Sequence, residues 1–259
     1  MGEPRLLLEV RDGVATVTLN HPDQLNAIDD AMRAEFPELA DRLADRAIRV
    51  VVFTGAGRAF SAGGSVSHFE RDWDTAEFRQ HSHALSAAFS RIEALEKPVI
   101  AAINGPATGA GLQLTLTCDL RFAATTARVG YREHNLGLIP GHGGATRLVK
   151  LLGLSRAKDL YFRGDLVDAD EAYRLGLIHR VIAPEELLAE THAEAHRLAK
   201  RAPGALGLAK QLLNRAADVD VATGLELESL AQSILLKTQD HREGVRAFRD
   251  KRKPDFTGE

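Results

Sequence analysis

Lys97-Pro98-Val99-Ile100-Ala101-Ala102-Ile103-Asn104-Gly105-Pro106-Ala107-Thr108-Gly109-Ala110-Gly111-Leu112 is the stretch that decides the fold. Its first half is a short, unbroken apolar run that reads as a buried strand. A glycine-rich turn closes that strand and leads into an apolar helix. The same grammar recurs on either side. Val14 to Leu19 alternates Val, Thr and Leu with small residues and stops at Asn20-His21-Pro22. Asp29 caps a helix running to about residue 44, with Met32, Phe36, Leu39 and Leu43 at helical spacing. Residues 49–54 form a second apolar strand entering Gly55-Ala56-Gly57, and residues 119–124 and 128–131 are further short strands. Strands alternating with helices imply an α/β fold with largely parallel pairing.

The texture changes near residue 202. Residues 205–216, 223–237 and 240–251 are helical with no strand between them. We therefore expect an α/β core over residues 1–200 and a helical region over 201–259, whose apolar stripes need cover from the core or from another subunit. No low-complexity segment or solenoid-period repeat is evident.

Bulk composition narrows the function. The 259 residues carry 33 basic and 36 acidic side chains, a formal charge of −3. That balance argues against broad electrostatic binding of nucleic acid or anionic membrane. A single cysteine, Cys118, excludes an internal disulfide and fits a reducing compartment. No apolar run approaches the roughly 20 residues of a membrane span. The start, Met1-Gly2-Glu3-Pro4-Arg5, does not read as a signal peptide, so the expected location is cytoplasmic.

Several motifs fail. Gly55-Ala56-Gly57-Arg58-Ala59-Phe60 lacks the third glycine of a dinucleotide fingerprint. Phosphate-loop and Gly-x-Ser-x-Gly signatures are absent. His192 and His196 flank Glu194 at one helical turn, but not in His-Glu-x-x-His order. That segment reads as a solvated face, and His81 with His83 as a polar stretch, so no metal is expected.

Three segments carry chemistry. Phe60-Ser61-Ala62-Gly63-Gly64-Ser65 follows a strand, as does Asn104 to Gly111, and Glu133-His134-Asn135-Leu136-Gly137-Leu138-Ile139-Pro140-Gly141-His142-Gly143-Gly144 supplies a carboxylate. Small residues let a ligand approach the backbone, and a turn entering a helix aims free N–H groups at it. Two such groups converging from different strand ends form an oxyanion hole.

In this order and at these separations the three segments resemble the enoyl-CoA hydratase/isomerase (crotonase) family. Asn20-His21-Pro22 with Asn26-Ala27-Ile28, Thr117-Cys118-Asp119, and the tail from Glu243-Gly244 through Phe248 to Lys251-Arg252-Lys253-Pro254 extend the likeness to residues 5–256. The resemblance implies a spiral of ββα repeats with a helical C-terminal trimerisation region, the trimers often pairing into hexamers. It implies that the thioester oxygen is held by the backbone N–H groups of Gly64 and Ala110, where the family usually has glycine at the second position. It implies coenzyme A contacts near Ala27 and Ala62, and near Phe248 and Lys251, the latter often from a neighbouring subunit. Arg246, Arg249, Lys251, Arg252 and Lys253 offer cations for phosphates. Ser65 stands where the family usually has aspartate.

Hydratases of this family use two glutamates. One matches Glu133; the position of the other is Gln113, which cannot exchange a proton near neutral pH. The position that carries an aspartate in dienoyl isomerases is Gly141. A lone carboxylate suits transfer of a proton from the alpha to the gamma carbon, that is, 3-enoyl-CoA to 2-enoyl-CoA isomerisation. A hydratase with Gln113 orienting water, and a non-catalytic acyl-CoA-binding protein, are the competing readings. No cofactor is expected beyond the coenzyme A thioester itself as substrate. Val66, His68, Phe69, Trp73, Phe78 and Leu85 are expected to shape the acyl pocket, while Asp29 and Asp119 read as structural.

Overall fold

The computed structural model describes residues 3–259, so Met1 and Gly2 of the N-terminal segment lie outside it. Leu6–Arg11 (β1) and Val14–Leu19 (β2) form a hairpin. Asp12 and Gly13 turn it with φ of 48° and 75°, the left-handed pair that matches strand twist. Asp29 caps Asp30–Leu43 (α1) by accepting the Met32 N–H at 2.8 Å, and Met32, Phe36, Leu39 and Leu43 are all buried as their spacing requires.

Val50–Gly55 (β3) is buried along its whole length and lies parallel to β2. Val66–Phe69 (α2) and Thr75–Glu93 (α3) follow, then Val99–Ile103 (β4), again wholly buried. From here the chain spirals. Ala107–Thr108 (β5) leads into Ala110–Thr117 (α4); Leu120–Ala124 (β6) and Arg128–Gly130 (β7) lead through a 3₁₀ turn, Glu133–Leu136, to Gly144–Leu152 (α5). Leu154–Arg163 (α6), Val167–Asp168 (β8), Ala169–Leu175 (α7), Arg180–Ile182 (β9) and Leu187–Ala199 (α8) complete the core.

The strands sort into a six-stranded sheet, β1-β2-β3-β4-β6-β9, and a three-stranded one, β5-β7-β8. Pairing is parallel except for β1–β2 and β7–β8. The β4-β5-α4 and β6-β7-α5 circuits each give one strand to the large sheet, one short strand to the small sheet, and then a helix, while the circuits from β2 and β3 make only the isolated bridges Ile28–Gly64 and Ser61–Ala107 there. The strand–helix separations differ between circuits, so the repeat leaves no fixed period in the sequence. One face of the large sheet packs on the helices that carry Phe36, Phe89, Leu112 and Leu148; the other is covered by α8 through Leu187 and Ala195.

That placement corrects the solvated reading of residues 192–196. Glu194 is buried between Arg180 and Arg197, and His192 Nε2 lies 3.2 Å from Thr16 Oγ1, because α8 is the lid of the sheet's second face.

Pro203–Ala216 (α9), Val221–Leu235 (α10) and Gln239–Arg249 (α11) form the tail. Asp119 is the structural anchor: it accepts the Val99 N–H at 2.7 Å and pairs with Lys210 of α9 at 2.9 Å. Lys210 also donates to the Lys97 carbonyl, and Gly207 sits so close to Glu96 that an added Cβ would lie 2.7 Å from its carbonyl oxygen. On α10 only Ala231 is buried, leaving Leu225, Leu230 and Ile234 exposed on this chain. No helix is long and apolar enough to cross a membrane among the described residues.

Candidate active site

The site lies where β2, β3 and β4 end, and two asparagines, Asn26 buried and Asn104 half-buried, assemble it. Leu25 and Asn26 hold consecutive left-handed backbone conformations, φ 52° and 55°, which cost a non-glycine residue energy unless surroundings enforce them. Asn26 supplies the enforcement: its side chain accepts from His21 N and donates to the Ala56 and Ala59 carbonyls, each at 2.8 Å. Asn104 does the same from β4, accepting from Gly55 N and donating to the carbonyls of Gly55 and Gly57. Gly55-Ala56-Gly57 is therefore a tight turn, with no room at Gly55, where a Cβ would sit 2.2 Å from the Ala59 carbonyl oxygen. Asn26→Ala should lower stability by about 2–4 kcal/mol, since it strands buried partners in one step. A fall in the denaturant midpoint at constant slope would measure this; an unchanged midpoint would refute it.

Residues 61–64 run between these loops. Ile28 bridges Gly64 in parallel fashion, its N–H going to the Gly63 carbonyl and its carbonyl receiving the Ser65 N–H. The segment's other side faces residues 107–111, and the Gly64 N–H has no backbone acceptor among the described residues. On that side Ser61 bridges Ala107, and Thr108 Oγ1 donates to the Ala62 carbonyl at 2.8 Å. A Cβ on Gly63 would lie 2.8 Å from the Thr108 oxygen and 3.4 Å from the Ala110 nitrogen, and one on Gly111 2.6 Å from Ser61 Cβ. Glycine at both positions lets the two backbones touch. Ala110 is the first residue of α4, so its N–H has no acceptor within the helix. Gly64 and Ala110 thus offer two backbone donors beside one cavity of about 340 Å³.

Glu133 faces the same cavity. One oxygen, Oε1, accepts the Gln113 Nε2–H at 2.9 Å; the other accepts the Arg132 N–H at 3.0 Å. A Cβ on Gly109 would be 3.5 Å from Oε1, which puts the carboxylate over the turn that carries Ala110. Burial raises the Glu133 pKa above the usual carboxylate range, with these hydrogen bonds opposing it. Gln113 is buried in α4, and its Oε1 has no partner, as has the Tyr131 hydroxyl.

The expected acyl wall is partly redrawn. His68, Phe69 and Phe78 line the cavity, with Leu136, Leu138 and Ile139 opposite. Leu85 instead belongs to the core, 2% exposed, and Val66 points outward at 60%. Trp73 is turned away, donating Nε1–H to the His68 carbonyl and stacking under Arg71. Gly141 lines the cavity without a carboxylate, and Ser65 spends its hydroxyl on Ser67. His142 lines it too; burial, aided by the nearby Arg33 charge, pushes its pKa down to about 4, so it is neutral at physiological pH. His134 is exposed and stacks edge-on against Tyr161.

His81 pairs not with His83 but with Asp30 and His68, because α1 and α3 pack together. These three residues bring one potential ligand atom each to within 4.8 Å of one another, a geometry the sequence did not suggest. Arg71 shares Asp30 at 3.4 Å.

Ala27 and Ala62 lie on adjoining segments, tied by the Ala62 N–H to the Leu25 carbonyl; Ala62 is exposed at the cavity and Ala27 is buried. Phe248 and Lys251 do not join them within one chain. Phe248, 86% exposed, lines a separate cavity among α9, α10 and α11. Of the tail's cations, Arg252 and Arg246 are paired with Glu243, whose pKa their charge and hydrogen bonds pull down to about 2. Arg33 was missed by sequence reasoning: it sits among the core residues of α1, yet it reaches the cavity.

With this geometry, the chain is a member of the enoyl-CoA hydratase/isomerase family, whose model matches residues 9–259. The short-chain-enoyl-CoA hydratase of Clostridium acetobutylicum is 38% identical over 96% of this chain and 95% of its own. The crotonyl-CoA hydratase of Syntrophomonas wolfei is 36% identical over 99% of each. The crystal structure of enoyl-CoA hydratase from Bacillus anthracis superposes with a TM-score of 0.94 at 34% identity, covering 98% of this chain and all of that one. The spiral architecture and its C-terminal helices are those of the family.

Proposed function

We propose that this protein isomerises a 3-enoyl-CoA to the 2-enoyl-CoA, with Glu133 as the only proton-transferring group. The observation that carries the reading is the Gln113–Glu133 hydrogen bond. The residue placed to be a second acid/base is an amide, and its N–H is occupied in holding the first. The thioester oxygen lies between the N–H groups of Gly64 and Ala110. Glu133 removes the alpha proton, the enolate charge falls on the oxyanion donors, and the same carboxyl returns the proton at the gamma carbon. Coenzyme A runs past Ala62 and Ala27, and no further cofactor takes part. Phe248 and Lys251 of another subunit complete its site in a trimer or hexamer.

The raised Glu133 pKa suits a group that must both take and give a proton. Each oxyanion donor contributes about 10²–10³ in rate, which with a positioned base is sufficient for a proton already acidified by the thioester.

The two hydratase relatives favour a second reading, 2-enoyl-CoA hydration. Supplying 3-enoyl and 2-enoyl thioesters separately decides between them. The wild type should move the double bond and add little water, and Gln113→Glu should gain hydration by about 10². Wild-type hydration of crotonyl-CoA as fast as isomerisation would transfer the assignment to the hydratase.

A further inference from the structure

Among the described residues Arg33 carries a buried charge that no direct ion pair answers, Asp30 and Asp29 acting on it only through space. It is 7% exposed, and its guanidinium stays protonated in proteins. Its Nε is buried without a hydrogen-bond partner, and no carboxylate pairs with it among the described residues. The two nearest acids are committed elsewhere. Asp29 caps α1 and holds Arg5, and Asp30 holds His68 and Arg71. A buried cation left in this state is costly unless a partner arrives.

Its position says which partner. Arg33 lines the cavity, and its Nη2 would lie 3.6 Å from a Cβ on Gly64, one of the two oxyanion donors. An anion bound there sits only a few atoms from a thioester carbonyl held by that donor. His68 and His142 face the same space, both with pKa values lowered mainly by burial and further by Arg33. Among the described residues Glu133 is the only acid lining the cavity, and its oxygens are taken by Gln113 and Arg132.

We infer that Arg33 is a specificity residue that forks onto a carboxylate carried by a short acyl group, making the preferred substrate a monothioester of a dicarboxylic acid. The planar guanidinium offers paired donors matched to a carboxylate, which no neutral alkyl chain uses. The inference rests on the reading that this cavity holds an acyl-CoA thioester.

Binding of malonyl-CoA, succinyl-CoA and butanoyl-CoA to the full chain by calorimetry tests it without requiring turnover. One of the two carboxylated thioesters should bind about tenfold or more tightly than butanoyl-CoA. Arg33→Met should bring that ratio to about one, and Arg33→Lys, which keeps the charge but loses the fork, should retain part of it. Butanoyl-CoA binding as well as both carboxylated thioesters in the wild type would overturn the Arg33 assignment while leaving the acyl-CoA reading intact. Failure of all three to bind would overturn both. If Arg33→Met does not fold, the wild-type ratio and the Lys variant decide.

Discussion

Glu133→Gln is expected to lower 3-enoyl-CoA turnover by about 10²–10⁴, the contribution of a positioned general base. The substitution keeps size and polarity while removing the transferable proton. The loss should come without a loss of stability. Burial raises the Glu133 pKa in the folded state, so the native protein holds that proton more tightly than the unfolded chain does. The associated stabilisation is present at low pH and disappears as pH rises through the raised value, so at neutral pH the ionised carboxylate is a cost. The Gln variant should then be as stable as the wild type or more so. The pH profile supplies an independent reading: wild-type rate should fall on acidification through a pKa above the ordinary carboxylate range, and the variant should lack that limb. A Gln variant with near-normal turnover would remove Glu133 from the mechanism.

Ala110→Pro is expected to cost about 10²–10³ in turnover, the value of one oxyanion donor. Position 110 opens α4, where proline is tolerated because the helix has no use for that N–H. The preceding Gly109, at φ 51° and ψ −126°, has no Cβ to clash with the proline ring. The fold should therefore survive, as a thermal melt would show, while the donor is gone. An active Ala110→Pro enzyme would mean that the thioester oxygen is held elsewhere.

The two residues were not equally visible in the sequence. The turn that carries Ala110 is legible because a glycine-rich turn entering a helix leaves N–H groups free whatever surrounds it, although the resemblance is what singles out Ala110 within it. Glu133 was found only by its place in a family-like order, since a glutamate after a three-residue strand has nothing local to mark it. Its contact with Gln113 joins residues 20 apart in the chain, and no periodicity predicts a hydrogen bond across two elements. The acyl wall shows the same limit. His68, Phe69 and Phe78 line the cavity, whereas Leu85 and Trp73, equally apolar, face the core and the Arg71 side chain. Which face of a short helix meets a cavity is set by its neighbours.

Arg33 marks the furthest point from sequence legibility. Its neighbours Met32 and Phe36 follow helical spacing into the core, and by composition an arginine between them belongs on the solvent side. Tertiary packing buries it, α1 lying against α3 and β1 with the guanidinium beside Gly64.

By itself the sequence determined the strand and helix order, the Asp29 cap and the two backbone-exposing turns. Each of these is a local matter of period, capping or residue chemistry. The tertiary structure alone decided that Gly64 and Ala110 open onto one cavity, that Gln113 holds Glu133, and that Arg33 is buried beside them. Those facts depend on strand register and helix packing between distant segments, where a change of one residue's direction moves a charge from water into the site.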